Sequence, residues 1–194
     1  MRLIVNLVLV VIIGVLIWVL YSSISEPIEF QKERRIREDA VIEKLIEIRQ
    51  AQEIFRNVSG AGFAPSFDSL KQVLRNGQVQ TIKVVGDPDD PTSEAIFYDT
   101  MYEPAMKYVE EYGINLDSLE YVPFSKEGAV FDVKADTVTY QSTLVDVVEV
   151  STNRKNYMGK YADPRFSRYD KSYKPNSIIK FGDLTAPNLS GNWE

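Results

Sequence analysis

Leu3-Ile-Val-Asn-Leu-Val-Leu-Val-Val-Ile-Ile-Gly-Val-Leu-Ile-Trp-Val-Leu20 is an apolar run interrupted only by Asn6 and Gly14. At a rise of about 1.5 Å per residue, a helix of this length reaches roughly 27–30 Å, the thickness of a bilayer's hydrocarbon core. Trp18 and Tyr21 stand at its C-terminal end, where amphipathic rings favour the membrane interface. The expectation is a transmembrane anchor over residues 1–21 that contacts the lipid bilayer through 3–21. The competing reading is a cleaved signal peptide with a small-x-small site at Ser23-Ile24-Ser25. Its apolar region would exceed the usual length of roughly 7–15 residues, and Pro27 lies just beyond the site.

Outward from the run, residues 22–58 read as an amphipathic helical stalk. Val41, Leu45, Ile48, Gln52 and Phe55 step by four, three, four and three, which places them on one helical face. Ile42, Ile46 and Ile54 broaden that face, and neither Gly nor Pro interrupts 28–57. Pro27 lacks a backbone N–H and predicts a bend between anchor and stalk. Two readings of the face stand open: packing on the chain's own sheet, or a seam for a partner helix formed by those five residues.

Residues 59–182 supply an α+β globular domain. Gly60-Ala-Gly62 stops the stalk, and Ser66-x-x-Ser69 caps a short helix with Phe67, Leu70, Val73 and Leu74 on its buried face. Strands are expected at 78–85, 95–101, 129–133, 144–150 and 177–181, with a helix at 103–112. Helices followed by a small, mostly antiparallel sheet, without a repeating βα unit, define the class as α+β. Residues 183–194, with their Pro, Asn and Gly, read as a loosely held tail.

The chain contains neither His nor Cys. Disulfides, thiolate nucleophiles, Ser-His-Asp machinery and His-based zinc sites are thereby excluded. No phosphate-binding glycine loop occurs either. The expectation is a non-enzyme with no cofactor and no metal. The remaining catalytic alternative is a carboxylate-dependent hydrolase of envelope glycans, carried by Asp87, Asp89, Asp90, Glu110 and Glu111. The three aspartates lie in a polar loop that lacks the central Gly and the closing Glu of a calcium loop.

The net charge of −6 conceals a division. Residues 151–180 carry eight Lys and Arg against Asp163 and Asp170, a local +6 on an otherwise acidic chain. Tyr157, Tyr161, Phe166, Tyr169 and Tyr173 are interleaved with these cations. Arg165, Arg168, Lys171 and Lys174 are therefore candidate contacts for anionic lipid or an acidic partner, the other reading being a solvated edge. No nucleic-acid-binding motif accompanies them, so nucleic acid is not an expected partner.

Taken together, Arg49-Gln-Ala-Gln52 within 36–55, Ser66-Phe-Asp-Ser-Leu70, Asp117-Ser-Leu-Glu-Tyr-Val-Pro-Phe124, and Thr185-Ala-Pro187 with Gly191-Asn-Trp-Glu194 resemble a family of small single-pass membrane proteins from Bacteroidetes. The first third also resembles type IV pilins and pseudopilins, in which an apolar helix runs into an amphipathic one and then a small β domain. It departs from them in lacking a Gly-Phe-x-x-x-Glu processing site and any acid within 3–20. The resemblance implies a structural or scaffold subunit of a cell-envelope assembly, partnered by other envelope proteins or by itself. It also implies an inner-membrane location with the C-terminal domain in the periplasm. Lys32, Arg34, Arg35 and Arg37 outnumber the cations before the run, and that count taken alone puts the domain in the cytoplasm. Five acids interleaved between 26 and 39 make the segment read as an ordinary amphipathic helix instead.

Overall fold

The computed structural model describes residues 2–60, 62–85, 97–126 and 128–194. Its dominant element is a single helix, α1 (Arg2–Ser59), that includes the apolar run, Pro27 and the whole stalk. The expected boundary between residues 21 and 22 is therefore not an element boundary: the helix continues through Pro27. It ends where Gly60 takes φ +67° and its N–H bonds the Arg56 carbonyl at 3.0 Å.

α1 is long and apolar enough to cross a membrane, and its apolar window is wholly uncovered by the rest of the chain. Beyond Tyr21 the same helix becomes the spine of the α+β head. Phe30, Val41, Leu45, Ile48, Ala51, Ile54 and Phe55 are buried on its inner face. The seam that sequence offered to a partner helix is thus covered by the chain's own head. The physical reason is the apolar surface that faces it: α2 (Phe67–Asn76) presents Phe67, Leu70 and Leu74, α3 (Ala105–Glu111) presents Ala105 and Val109, and these join the seam in one core.

Gln52 belongs to that seam and is 1% exposed. Its side-chain amide donates to the Ala64 carbonyl at 3.1 Å and accepts from the Ala64 N–H at 2.8 Å. The amide mimics a strand partner and fastens the loop after α1 to the helix, satisfying two buried backbone groups at once. Ser66 then caps α2 by accepting from the Ser69 N–H at 3.3 Å.

β1 (Gln78–Val85) and β2 (Phe97–Pro104) form an antiparallel pair in which Gln78 faces Pro104 and Val85 faces Phe97. A second antiparallel sheet has the order β3-β4-β5, from β3 (Asp132–Tyr140), β4 (Thr143–Asn153) and β5 (Ile178–Gly182). Gln141 and Ser142 join β3 to β4 with φ +47° and +67°, the two-residue turn with positive φ whose twist matches antiparallel strands.

The C-terminal residues are fixed rather than loose. Gly191 bridges Phe181, Asn192 donates its N–H to the Lys180 carbonyl at 3.0 Å, and Glu194 pairs with Arg49 at 2.9 Å. Arg49 also donates to the Leu189 carbonyl at 3.2 Å. The tail therefore lines the free edge of β5 and is anchored to the spine helix across some 140 residues of chain.

Candidate functional site

The segment between β4 and β5 folds onto the part of α1 nearest the apolar run. α4 (Lys155–Met158) is followed by two 3-10 turns, Gly159–Ala162 and Pro164–Arg168, the second capped by the Asp163 side chain. This succession of short turns presents Tyr157, Tyr161, Phe166 and Tyr173 inward, and all four are buried. Phe30 is the common partner of Tyr161, Phe166 and Tyr173. Its ring stacks on Phe166 with centroids 5.4 Å apart and an interplanar angle of 13°, and it meets the edge of Tyr173 at 5.0 Å. Tyr161 and Tyr169 complete the cage at 5.7 and 6.2 Å. Such pairs contribute about 0.5–1.5 kcal/mol each beyond their area, enough to hold a segment with little regular structure.

Ionic contacts frame the cage on two levels. Nearest the apolar run, Glu26 accepts from the Tyr169 hydroxyl at 2.5 Å and pairs with Arg168 at 3.2 Å and Arg165 at 3.7 Å. The Tyr169 hydrogen bond, with Arg168 and Arg165 beside it, holds the Glu26 carboxyl below its usual range. Arg165 lies over the Phe166 ring and Arg168 over the Tyr169 ring, each 4.6 Å from the centroid.

Further along α1, Arg34 bonds Glu38 at 3.1 Å and also pairs with Asp170. Arg154 reaches Glu38 at 2.7 Å and the Ser177 hydroxyl at 2.6 Å. Arg37 donates to the Tyr157 carbonyl at 2.7 Å. Beneath this network the Tyr157 hydroxyl is buried without a hydrogen-bond partner among the described residues, and burial pushes its pKa up. Burial likewise lifts Tyr173 to about 12. An open groove of about 430 Å³ is lined by Gln31, Arg34, Arg35, Glu38, Asp39 and Asp170. Its charges of both signs neutralise one another, an arrangement suited to holding two segments together.

The sequence candidates separate accordingly. Val41, Leu45, Ile48, Gln52 and Phe55 lie together, but inside the head, so they offer no face to a partner. Arg165 and Arg168 come together on Glu26. Lys171 and Lys174 are exposed and directly follow, in sequence, the Asp170 and Tyr173 that Arg34 engages. The basic stretch is thus neither one patch nor a plain solvated edge. Asp87, Asp89 and Asp90 lie outside the described residues, while Glu110 and Glu111 are exposed at the end of α3. Among the described residues no group of three acids is gathered as a metal site would need.

Glu26, Phe30, Arg34, Glu38 and Arg154 were not among the sequence candidates. Phe30 carried a signal: it is the one aromatic on α1 between Tyr21 and Phe55, and helical spacing puts it on the same face as Val41. Comparison with family models, curated proteins and solved structures finds no match.

Proposed function

We propose that the chain is a single-pass, membrane-anchored structural subunit of a cell-envelope assembly, pilin-like in layout, with no catalytic role. The observation that supports this reading is the double use of α1. One uninterrupted helix offers an uncovered apolar surface over its first third and the central core element of the head over its last half. A head built on its own anchor transmits position and load directly to the bilayer, which is the property a scaffold subunit needs. The side-chain inventory agrees, because ion pairs such as Arg154–Glu38, Arg34–Asp170 and Arg49–Glu194 brace one segment against another.

With the α1 seam internal, contacts to neighbouring subunits fall to the outer surfaces of the head. Ile82 and Tyr102 are largely exposed and, by the β1–β2 register and the two-residue strand period, share one face of that pair. On this reading the head lies in the periplasm, supported by the acids interleaved with the cations after the apolar run.

Gentle detergent extraction of the full chain, followed by native mass measurement, is expected to give a homo-oligomer or a complex with other envelope proteins. Replacing Ile82 and Tyr102 with Ser is expected to shift that population towards monomer without loss of folding. A full-length protein that is monomeric at all concentrations, with no co-purifying partner, overturns the reading. Orientation is read separately: a single Cys at exposed Ser172 is expected to react with an impermeant maleimide once the outer membrane is opened. Protection until the inner membrane is lysed places the head in the cytoplasm.

A further inference from the structure

The position of Arg165 and Arg168 along α1 fixes their height above the membrane. Glu26, which both engage, is five residues beyond Tyr21, or about 7.5 Å along a helix axis. The layer of lipid headgroups outside the hydrocarbon core is roughly 5–7.5 Å deep on each side. Arg34 and Glu38, by contrast, lie about 20 and 25 Å beyond Tyr21 on the same scale, past the headgroups.

The helix surface itself supports immersion to the depth of Glu26. Ile24 and Ile28, one turn apart, are both 61% exposed and prolong the apolar surface beyond Tyr21. Ser22 and Ser25 turn their hydroxyls back to the Val19 and Tyr21 carbonyls, at 3.2 and 2.9 Å. Their donors are therefore satisfied within the helix, as a lipid-facing environment demands.

At this level Arg165 and Arg168 each keep 60% of their side-chain surface exposed. Their lateral freedom is limited by the rings beneath them and by Glu26 between them. A guanidinium has five donors, and one shared carboxylate with a tyrosine hydroxyl uses few of them. The remaining donors form two ordered forks suited to phosphate oxygens.

We propose that Arg165 and Arg168 bind the phosphates of anionic lipid headgroups in the bilayer that α1 crosses, and that Glu26 positions them while tempering their charge. The occupant is the adjoining lipid surface, because the pair is continuous with the apolar surface of the span and opposite in charge to such headgroups. Lys171 and Lys174 stand beside Asp170 and Tyr173, at the level of Arg34, and take no part. This inference rests on α1 spanning the bilayer and is independent of the scaffold role.

The test uses full-length protein in nanodiscs of phosphatidylglycerol mixed with phosphatidylcholine. Lipids retained after mild delipidation are counted by native mass measurement, at low and high salt. Wild type is expected to retain phosphatidylglycerol preferentially, and less so at high salt. R165Q/R168Q is expected to lose that preference by at least about fivefold, the effect of one basic group at an anionic surface. K171Q/K174Q is expected to behave as wild type, and E26Q to retain more phosphatidylglycerol. R165K/R168K, which keeps the charges but not the forked donors, is expected to preserve part of the preference and guards against misfolding of the glutamine pair. Equal retention of the two lipids by wild type overturns the proposal. So does an equal loss in K171Q/K174Q and R165Q/R168Q, or a co-purifying acidic protein that depends on the arginines while no lipid preference exists. Failure of the chain to insert at all contradicts the span instead, and is recognised by recovery of protein without nanodiscs.

Discussion

Arg154, at the end of β4, places its Nε 2.7 Å from Oε1 of Glu38 on α1, and both side chains are more than four-fifths covered. Glu38 is shared with Arg34, which also holds Asp170, so the Glu38–Arg34 pair ties the spine helix to the segment that joins β4 to β5 at both Arg154 and Asp170. Largely covered pairs of this kind stabilise less than their Coulomb attraction suggests, but removing one member strands the other. Glu38→Gln or Arg154→Ala is expected to cost about 2 kcal/mol, between the values for surface and fully buried pairs. The double change Glu38→Met with Arg154→Leu is expected to cost less than the sum of the single changes, read from urea denaturation of each variant.

Phe30 holds the same segment by packing. It is fully buried and touches four aromatic rings. Phe30→Ala is expected to destabilise by about 3–5 kcal/mol, the range for a large aromatic lost from a core. Local release should precede global unfolding, so limited proteolysis is expected to cut first within 155–174. Cleavage at the β3–β4 turn instead would contradict this role of Phe30.

Gln52→Leu distinguishes a core role from a partner-facing one. The change keeps the volume but leaves the Ala64 N–H and carbonyl buried without partners, at about 1–3 kcal/mol for each group. Loss of stability without change in oligomeric state is expected. A more stable protein with altered association would restore the partner seam.

The stability profile with pH follows from the titrating groups present. Glu26 is held low chiefly by the Tyr169 hydroxyl, and Asp170 by its hydrogen bonds from Ser172. A folded carboxyl below its ordinary value, 4.5 for Glu and 3.8 for Asp, contributes stability present above that value and lost as pH falls through the folded one. Tyr173, raised from 10.0 to about 12 by burial and then by Glu38, acts in the opposite sense. Its contribution is complete below pH 10 and lost as pH rises through the folded value. With no His to titrate between them, thermal midpoints are expected to be flat from about pH 5 to 9 and to fall on both sides. A sharp step near pH 6–7 would contradict this assignment.

Much of the architecture was legible where the sequence is periodic. The apolar run, the stepping from Val41 to Phe55, the Ser66 cap and β1 follow from local pattern alone. The strand expected at 129–133 instead runs over Asp132–Tyr140, because Lys134, Asp136 and Thr137 give an edge strand polar residues that blur its alternation. Its turn at Gln141-Ser142 carries positive φ without the Gly or Asn that normally announces it. The turns between 155 and 168 are too short for any period to show. The site was the least legible part, since Phe30 meets its rings, and Glu26 its arginines, across 131 to 143 positions of chain. Similarly, the tail looked loose because its ties, Arg49 to Glu194 and Asn192 to Lys180, are contacts in space rather than in composition.

The central claim, that one helix both spans the membrane and carries the head, is tested most directly by a spin-label scan of α1. The chain has no Cys, so a nitroxide at each position from 7 to 34 in turn reports from one place in liposomes. Oxygen accessibility is expected to peak near Val11 and Ile12, the middle of the apolar run, and to fall to interfacial values at Tyr21 to Ile24. From Glu26 onward a helical period should appear unbroken across Pro27, with labels at 30 and 34 shielded by the head and the label at 28 open. Water-like accessibility throughout 7–20, or loss of the helical period between 22 and 30, would contradict the account.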